Sequence, residues 1–198
     1  MILSLAFFFM AIVIHEFSHG WCAYKLGDPT AKYAGRLTLN PLAHIDPFGT
    51  VLLPLLLTLM HSQVIFGWAK PVPINFWNLR HPRRDIILVG LAGPLSNFIM
   101  AFLVSLVIKF ITPLPWILHL LELFVILNLV LAVFNLIPIP PLDGSRVLAG
   151  LLPRSLTYLV TALEQFGMII LILFLWSGLF DYIVWPIVTT LANLLGII

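Results

Sequence analysis

The stretch Ile12-Val-Ile-His15-Glu16-Phe-Ser-His19-Gly20 decides how the chain is read. Four residues of α-helix turn through about 400°, so His15 and His19 share one face, about 40° apart. Both imidazoles can then reach one metal ion, with Glu16 beside them to act on a metal-bound water. The setting is unusual. Residues 1–14 carry no charge, and Ser4 is their only polar residue, so the pattern lies inside an apolar helix. An ionisable side chain at membrane depth is costly and marks a functional site by default. The competing reading is two helical histidines satisfied by neighbours, with Glu16 paired to one of them. Three unpaired polar groups in an apolar span would cost several kcal/mol together, which weighs against it.

Composition places the whole chain in the bilayer. Its 198 residues are 61% hydrophobic and only 9% charged, with a mean hydropathy of +1.10. A soluble domain is typically about 25% charged, so this is an integral membrane protein with room for about five spans. The formal net charge of +2, with no basic stretch interleaved with aromatics, excludes nucleic acid as a partner. A single cysteine, Cys22, excludes an intramolecular disulfide and a cysteine-rich metal site. Residues 1–14 lack a basic leader, and cleavage after them would sever the motif helix, so they are read as a retained span.

Outward from the motif, the first span covers about 2–26, ending at Gly27 with Asp28-Pro29 beyond it. Residues 31–39, around Gly35, and 71–75 could run as short membrane-associated β-strands. The apolar run 48–60 contains Pro54 and is too short to cross, so 48–68 is read as a re-entrant segment. Charge supports that choice: Lys25, Lys32 and Arg36 precede the run, and Lys70, Arg80, Arg83 and Arg84 follow it. A crossing would put these clusters on opposite faces. Further spans are expected at about 86–112 and 116–137. Residues 1–153 then form the catalytic membrane core, and 154–198 supply two peripheral transmembrane helices, about 156–176 and 179–198. The fold expected is an all-α polytopic membrane protein of about five spans. The cell membrane is the expected site, with the N-terminus outside and the C-terminus cytoplasmic, so that only Lys109 of the ten Lys and Arg residues lies on the outer face.

A zinc hydrolase wants a third protein ligand and an open fourth position. Of the eight acidic residues, Asp143 stands out because Pro138, Pro140 and Pro141 break the chain just before it. Asp143-Gly-Ser-Arg146 is equally good as the N-cap of a following helix near 144–152, and spacing does not separate the two. His and acidic residues in spans also mark ion pathways, so a metal transporter or metal sensor is the rival from another class. Transport favours ligands spread along a route, usually with internal repeats, and the chain has none.

Three motifs together resemble the site-2 proteases, zinc metalloproteases that cut peptide bonds within membranes. They are His15-Glu16-Phe-Ser-His19, then Gly93-Pro94-Leu-Ser-Asn97, then Asn135-Leu-Ile-Pro138-Ile-Pro140-Pro141-Leu-Asp143-Gly144. The match in order and spacing covers about residues 8–150. The resemblance implies one Zn2+ held by His15, His19 and Asp143, with Glu16 as general base. It further implies that Asn135 helps hold the substrate or the developing oxyanion. Asn97, on the second span, could line the site and bind substrate, and a helix–helix hydrogen bond is an equal reading of it. Substrates would be transmembrane proteins or membrane peptides within the lipid bilayer. The segments 35–47 and 67–73 look like those of the compact branch of the family, which lacks a PDZ domain. Elsewhere, His44 and Asp46 read as solvated loop residues.

Overall fold

A computed structural model describes residues 2–60, 69–111, 113–153, 160 and 162–198. Helix α1 (Ile2–Lys25) carries the motif and ends where Gly27 takes a left-handed φ of +113°. The Gly27 N–H donates to the Tyr24 carbonyl and the Asp28 N–H to the Ala23 carbonyl, which satisfies the last carbonyls of the helix. A side chain at Gly27 would be strained in that conformation and would press to 3.1 Å from the Asn78 carbonyl oxygen.

Asp28 is the knot of this corner and is fully buried. Its Oδ1 accepts from the Thr30 N–H, the Thr30 hydroxyl and the Asn78 amide, and its Oδ2 accepts from the Asn75 N–H. These bonds start the single turn α2 (Thr30–Tyr33) and tie the distant 75–80 loop to the end of α1. The strand expected over 31–39 is therefore replaced. Arg36 and Gly35 return their N–H groups to the Ala31 and Lys32 carbonyls, closing a helical turn locally instead of waiting for a strand partner. Residues 71–75 run extended but join no ladder: Pro71 and Pro73 lack N–H groups, and the Val72 and Asn75 N–H groups go to Glu16 and Asp28. No β-strand occurs among the described residues.

Residues Pro47–Leu52 form one wide helical turn, started by Asp46, whose Oδ1 accepts from the Phe48 and Gly49 N–H groups. It continues as α3 (Leu53–Leu59), and the two together are too short to span. The returning half of the expected re-entrant segment, 61–68, lies outside the described residues. His44 departs from the solvated loop expected: it is fully buried, with Nε2 2.9 Å from the Thr38 carbonyl oxygen.

Helix α4 (Pro82–Ile111) is the longest element, with Pro94 in its interior. Pro82 suits the first helical position, and the Asp85 carboxylate closes the start by accepting from the His81 N–H. Helix α5 (Pro115–Asn135) follows, then a proline-rich turn, then α6 (Asp143–Leu151). Helix α4 lies against α1, α5 and α6. The core between α4 and α5 also takes in Phe174, Val184 and Val188 from the C-terminal helices.

Spans are expected at about 156–176 and 179–198; residues 154–159 and 161 lie outside the described residues, and the rest hold two short helices. Helix α7 (Gly167–Trp176) and helix α8 (Trp185–Leu194) are ten residues each. They meet at a 75° bend, with Gly178 in a left-handed conformation and Pro186 in the first turn of α8. Ten residues rise only about 15 Å, half a bilayer core of about 30 Å. Among the described residues, three helices are long and apolar enough to cross, or four if the bent pair counts as one span.

Burial alone would push the Asp28 carboxyl up, but the bonds from Thr30, Asn78 and Asn75 outweigh it and hold its pKa below the usual carboxylate value. A depressed folded pKa means that the stabilisation is present above the unfolded value of about 3.9 and fades as pH falls below it. Asp28→Asn is expected to cost about 2 kcal/mol at neutral pH. The deficit should shrink below about pH 4, as read by thermal unfolding in detergent. An equal deficit at both pH values would contradict this role.

Candidate metal and active site

The site is assembled from three elements far apart in sequence. Helix α1 contributes His15 and His19, α4 passes across them, and α6 begins at Asp143. The two imidazoles pack edge to face, ring centres 4.7 Å apart. Their Nε2 atoms are 3.1 Å from each other, and each is 3.0 Å from Asp143 Oδ2. All three residues are buried. Asp143 makes no capping bond, and Leu142 occupies the N-cap position, so the carboxylate is turned to the histidines rather than to its own helix end.

The far side of each group is held. His19 Nδ1 lies 2.7 Å from the Val89 carbonyl oxygen. A carbonyl only accepts, so Nδ1 carries the proton and Nε2 of the neutral ring presents a lone pair. His15 Nδ1 faces Asn97 Oδ1 at 3.0 Å, which sets the same tautomer. Arg146 Nη1 donates to Asp143 Oδ1 at 3.1 Å, leaving Oδ2 for the histidines. Three electron-rich atoms thus converge in a buried place, an arrangement that could hold a metal ion. Two imidazole nitrogens and one carboxylate oxygen suit zinc with one position left open.

Gly93 makes the space. A Cβ built there would fall 2.6 Å from His15 Nε2 and against His19 Nε2. Any larger residue on this turn of α4 would fill the place to which the donors point. Glu16, next to His15 on α1, is half-buried, and its Oε2 accepts from the Val72 N–H at 2.9 Å.

The other expected residues fare differently. Asn97 is fully buried and committed to His15, with its Nδ2 buried and unpartnered among the described residues. Asn135, at the end of α5, donates from Nδ2 to the Leu131 carbonyl of its own helix at 2.9 Å. Sequence reasoning passed over Arg146, although its spacing three residues after Asp143 put both on one helix face. It also missed the Val89 carbonyl, for which a side-chain pattern carries no signal.

Comparison with known proteins accords with this geometry. The model of peptidase family M50 matches residues 114–177, which include Asp143 and extend past the stretch where the resemblance was read. The chain is 38% identical over 189 residues to "Putative zinc metalloprotease YwhC" of Bacillus subtilis (strain 168), covering 89% of this chain and 81% of that protein. It is 30% identical over 177 residues to "Putative zinc metalloprotease Rip2" of Mycobacterium tuberculosis (strain ATCC 25618 / H37Rv), covering 88% and 67%. To "Zinc metalloprotease MJ0392" of Methanocaldococcus jannaschii it is 28% identical over 155 residues, covering 76% and 34%. No solved structure gives a significant match. A membrane metallopeptidase is the class that the helices and the buried donors define. The chain belongs to peptidase family M50 and is an integral membrane zinc metalloprotease.

Gly93→Ala should lower zinc affinity at least about 10-fold while leaving helix content unchanged, measured by competition with a chromophoric chelator. Unchanged affinity would show that α4 does not wall the metal position.

Proposed function

We propose that this enzyme hydrolyses peptide bonds within or near transmembrane segments of membrane proteins or membrane peptides. In this reading His15, His19 and Asp143 hold the zinc, and Glu16 is the general base. The convergence of three buried donors, two of them on the membrane-length helix α1, opposite the gap at Gly93, carries it. Zinc bound there supplies Lewis acidity, polarising a carbonyl and lowering the pKa of water.

The chain's own groups do the rest. Asn97 and the Val89 carbonyl fix both rings with Nε2 forward. Arg146 turns the Asp143 carboxylate so that one oxygen faces the histidines. Glu16 takes a proton from the attacking water and returns it to the leaving amine. Its only hydrogen bond among the described residues comes from the Val72 N–H, which keeps the carboxylate beside the cluster. Asn135 is the group proposed to meet the substrate or its developing oxyanion, exchanging the Leu131 carbonyl for it.

Residues 1–153 act as the catalytic core and 154–198 as its periphery. The N-terminus lies outside, so that α1 delivers the motif toward the cytoplasmic face, where water is nearer. The basic residues Lys25, Lys32, Arg36, Lys70, Arg80, Arg83 and Arg84, gathered between the end of α1 and the first turn of α4, support that orientation.

Glu16→Gln should retain zinc, measured by atomic emission, yet cut a single-span substrate in proteoliposomes about 10²–10⁴-fold more slowly. Full activity in that variant would sink the assignment. Arg146→Ala should weaken zinc binding about 10-fold, with partial recovery in Arg146→Lys. Equal affinity in all three proteins would remove Arg146 from the site.

A further inference from the structure

The start of α4 and the second half of α6 border an open groove of about 880 Å³ that the peptidase site does not use. Ile87 precedes Gly93 by six residues, so the groove lies about 9 Å along α4 from the metal donors. Its floor is apolar, formed by Ile86, Ile87 and Ala149, and its rim carries Arg83, Arg84 and Trp77.

The rim charge is uncompensated. Arg83 donates from Nε to the Gly150 carbonyl at 3.2 Å and from Nη2 to the Leu152 carbonyl at 2.9 Å, which occupies its donors without neutralising it. Arg84 is exposed and has no carboxylate partner among the described residues. The neighbouring Asp85 carboxylate is 2% exposed and accepts from the His81 N–H, turned away from solvent. Helix α4 has 30 residues, about 45 Å, against a hydrocarbon core of about 30 Å, so its first turns reach headgroup level. The Trp77 indole, 92% exposed, is at home in the same layer.

An apolar floor under a basic rim at headgroup depth complements one molecular shape. We propose that this groove binds an anionic phospholipid, its acyl chain along Ile86, Ile87 and Ala149 and its phosphate at Arg83 and Arg84. Free phosphate would use the rim alone and leave the floor in water. The lipid would brace the α4–α6 contact that carries Gly93 and Asp143.

Native mass spectrometry of the zinc-loaded full chain in a neutral detergent tests the site, with phosphatidylglycerol and phosphatidylcholine as probes. Phosphatidylglycerol should bind about 10-fold or more tightly. Arg84→Glu should erase that preference, and Trp77→Ala should weaken it, with zinc content and unfolding temperature unchanged in both. Lys70→Glu, a charge reversal outside the groove, should leave it intact, and millimolar inorganic phosphate should not displace the lipid. Equal binding of the two lipids overturns the proposal. So does a preference that survives Arg84→Glu, or one that Lys70→Glu abolishes equally. Displacement by inorganic phosphate, or by a single-span peptide without lipid preference, also overturns it.

Discussion

A polar atom held away from water must find a partner, and in an apolar helix bundle the partners are few. That constraint shapes the His15–His19–Asp143 cluster. Each group has one side spent on a fixed neighbour: the Val89 carbonyl, Asn97 Oδ1 and the Arg146 guanidinium. Only the sides facing one another remain. Their lone pairs would repel if nothing lay between them, so the same geometry that satisfies the outer atoms leaves the inner ones selective for a cation. Binding of a cation there would follow from the way the outer atoms of the cluster are held.

Helix α4 is the element on which that arrangement depends. It supplies two of the outer partners, Asn97 and the Val89 carbonyl, and its Gly93 leaves room at the inner face. It also packs against α1 and α6, the two helices that carry the donors. A small displacement of α4 would therefore change ring orientation, cavity size and the approach of Asp143 together. The polar corner around Asp28 opposes such movement, since it ties the end of α1 to the loop that leads into α4. The Val72 N–H bond to Glu16 joins that same loop to the active site. The motif helix and the loop before α4 are thus joined through one short segment.

Much of this was legible in the residues. His15, Glu16 and His19 announce themselves because charge is so improbable in that helix, and the prolines before Asp143 mark broken backbone near membrane depth. The long spans were also readable within a few residues, because hydropathy sums over many positions and tolerates local error. The strands at 31–39 and 71–75 were misread. The Gly35 and Arg36 N–H groups close locally onto the Lys32 and Ala31 carbonyls, and the Val72 and Asn75 N–H groups go to Glu16 and Asp28, so neither segment joins a ladder. The break between the two C-terminal helices was also placed near Gly178, but composition could not register that the helices on either side meet at a 75° bend.

The sequence by itself determined that this is a membrane protein bearing a two-histidine metal motif, because both properties follow from local spacing and summed hydropathy. Whether Asp143 caps its own helix or faces the histidines was decided only by the tertiary structure, as were the roles of Asn97, Arg146, Gly93 and the Val89 carbonyl. His15 and Asp143 are 128 residues apart. No local preference of either residue encodes that meeting; the packing of α1, α4 and α6 does, by bringing three donor groups from distant parts of the chain to one buried place.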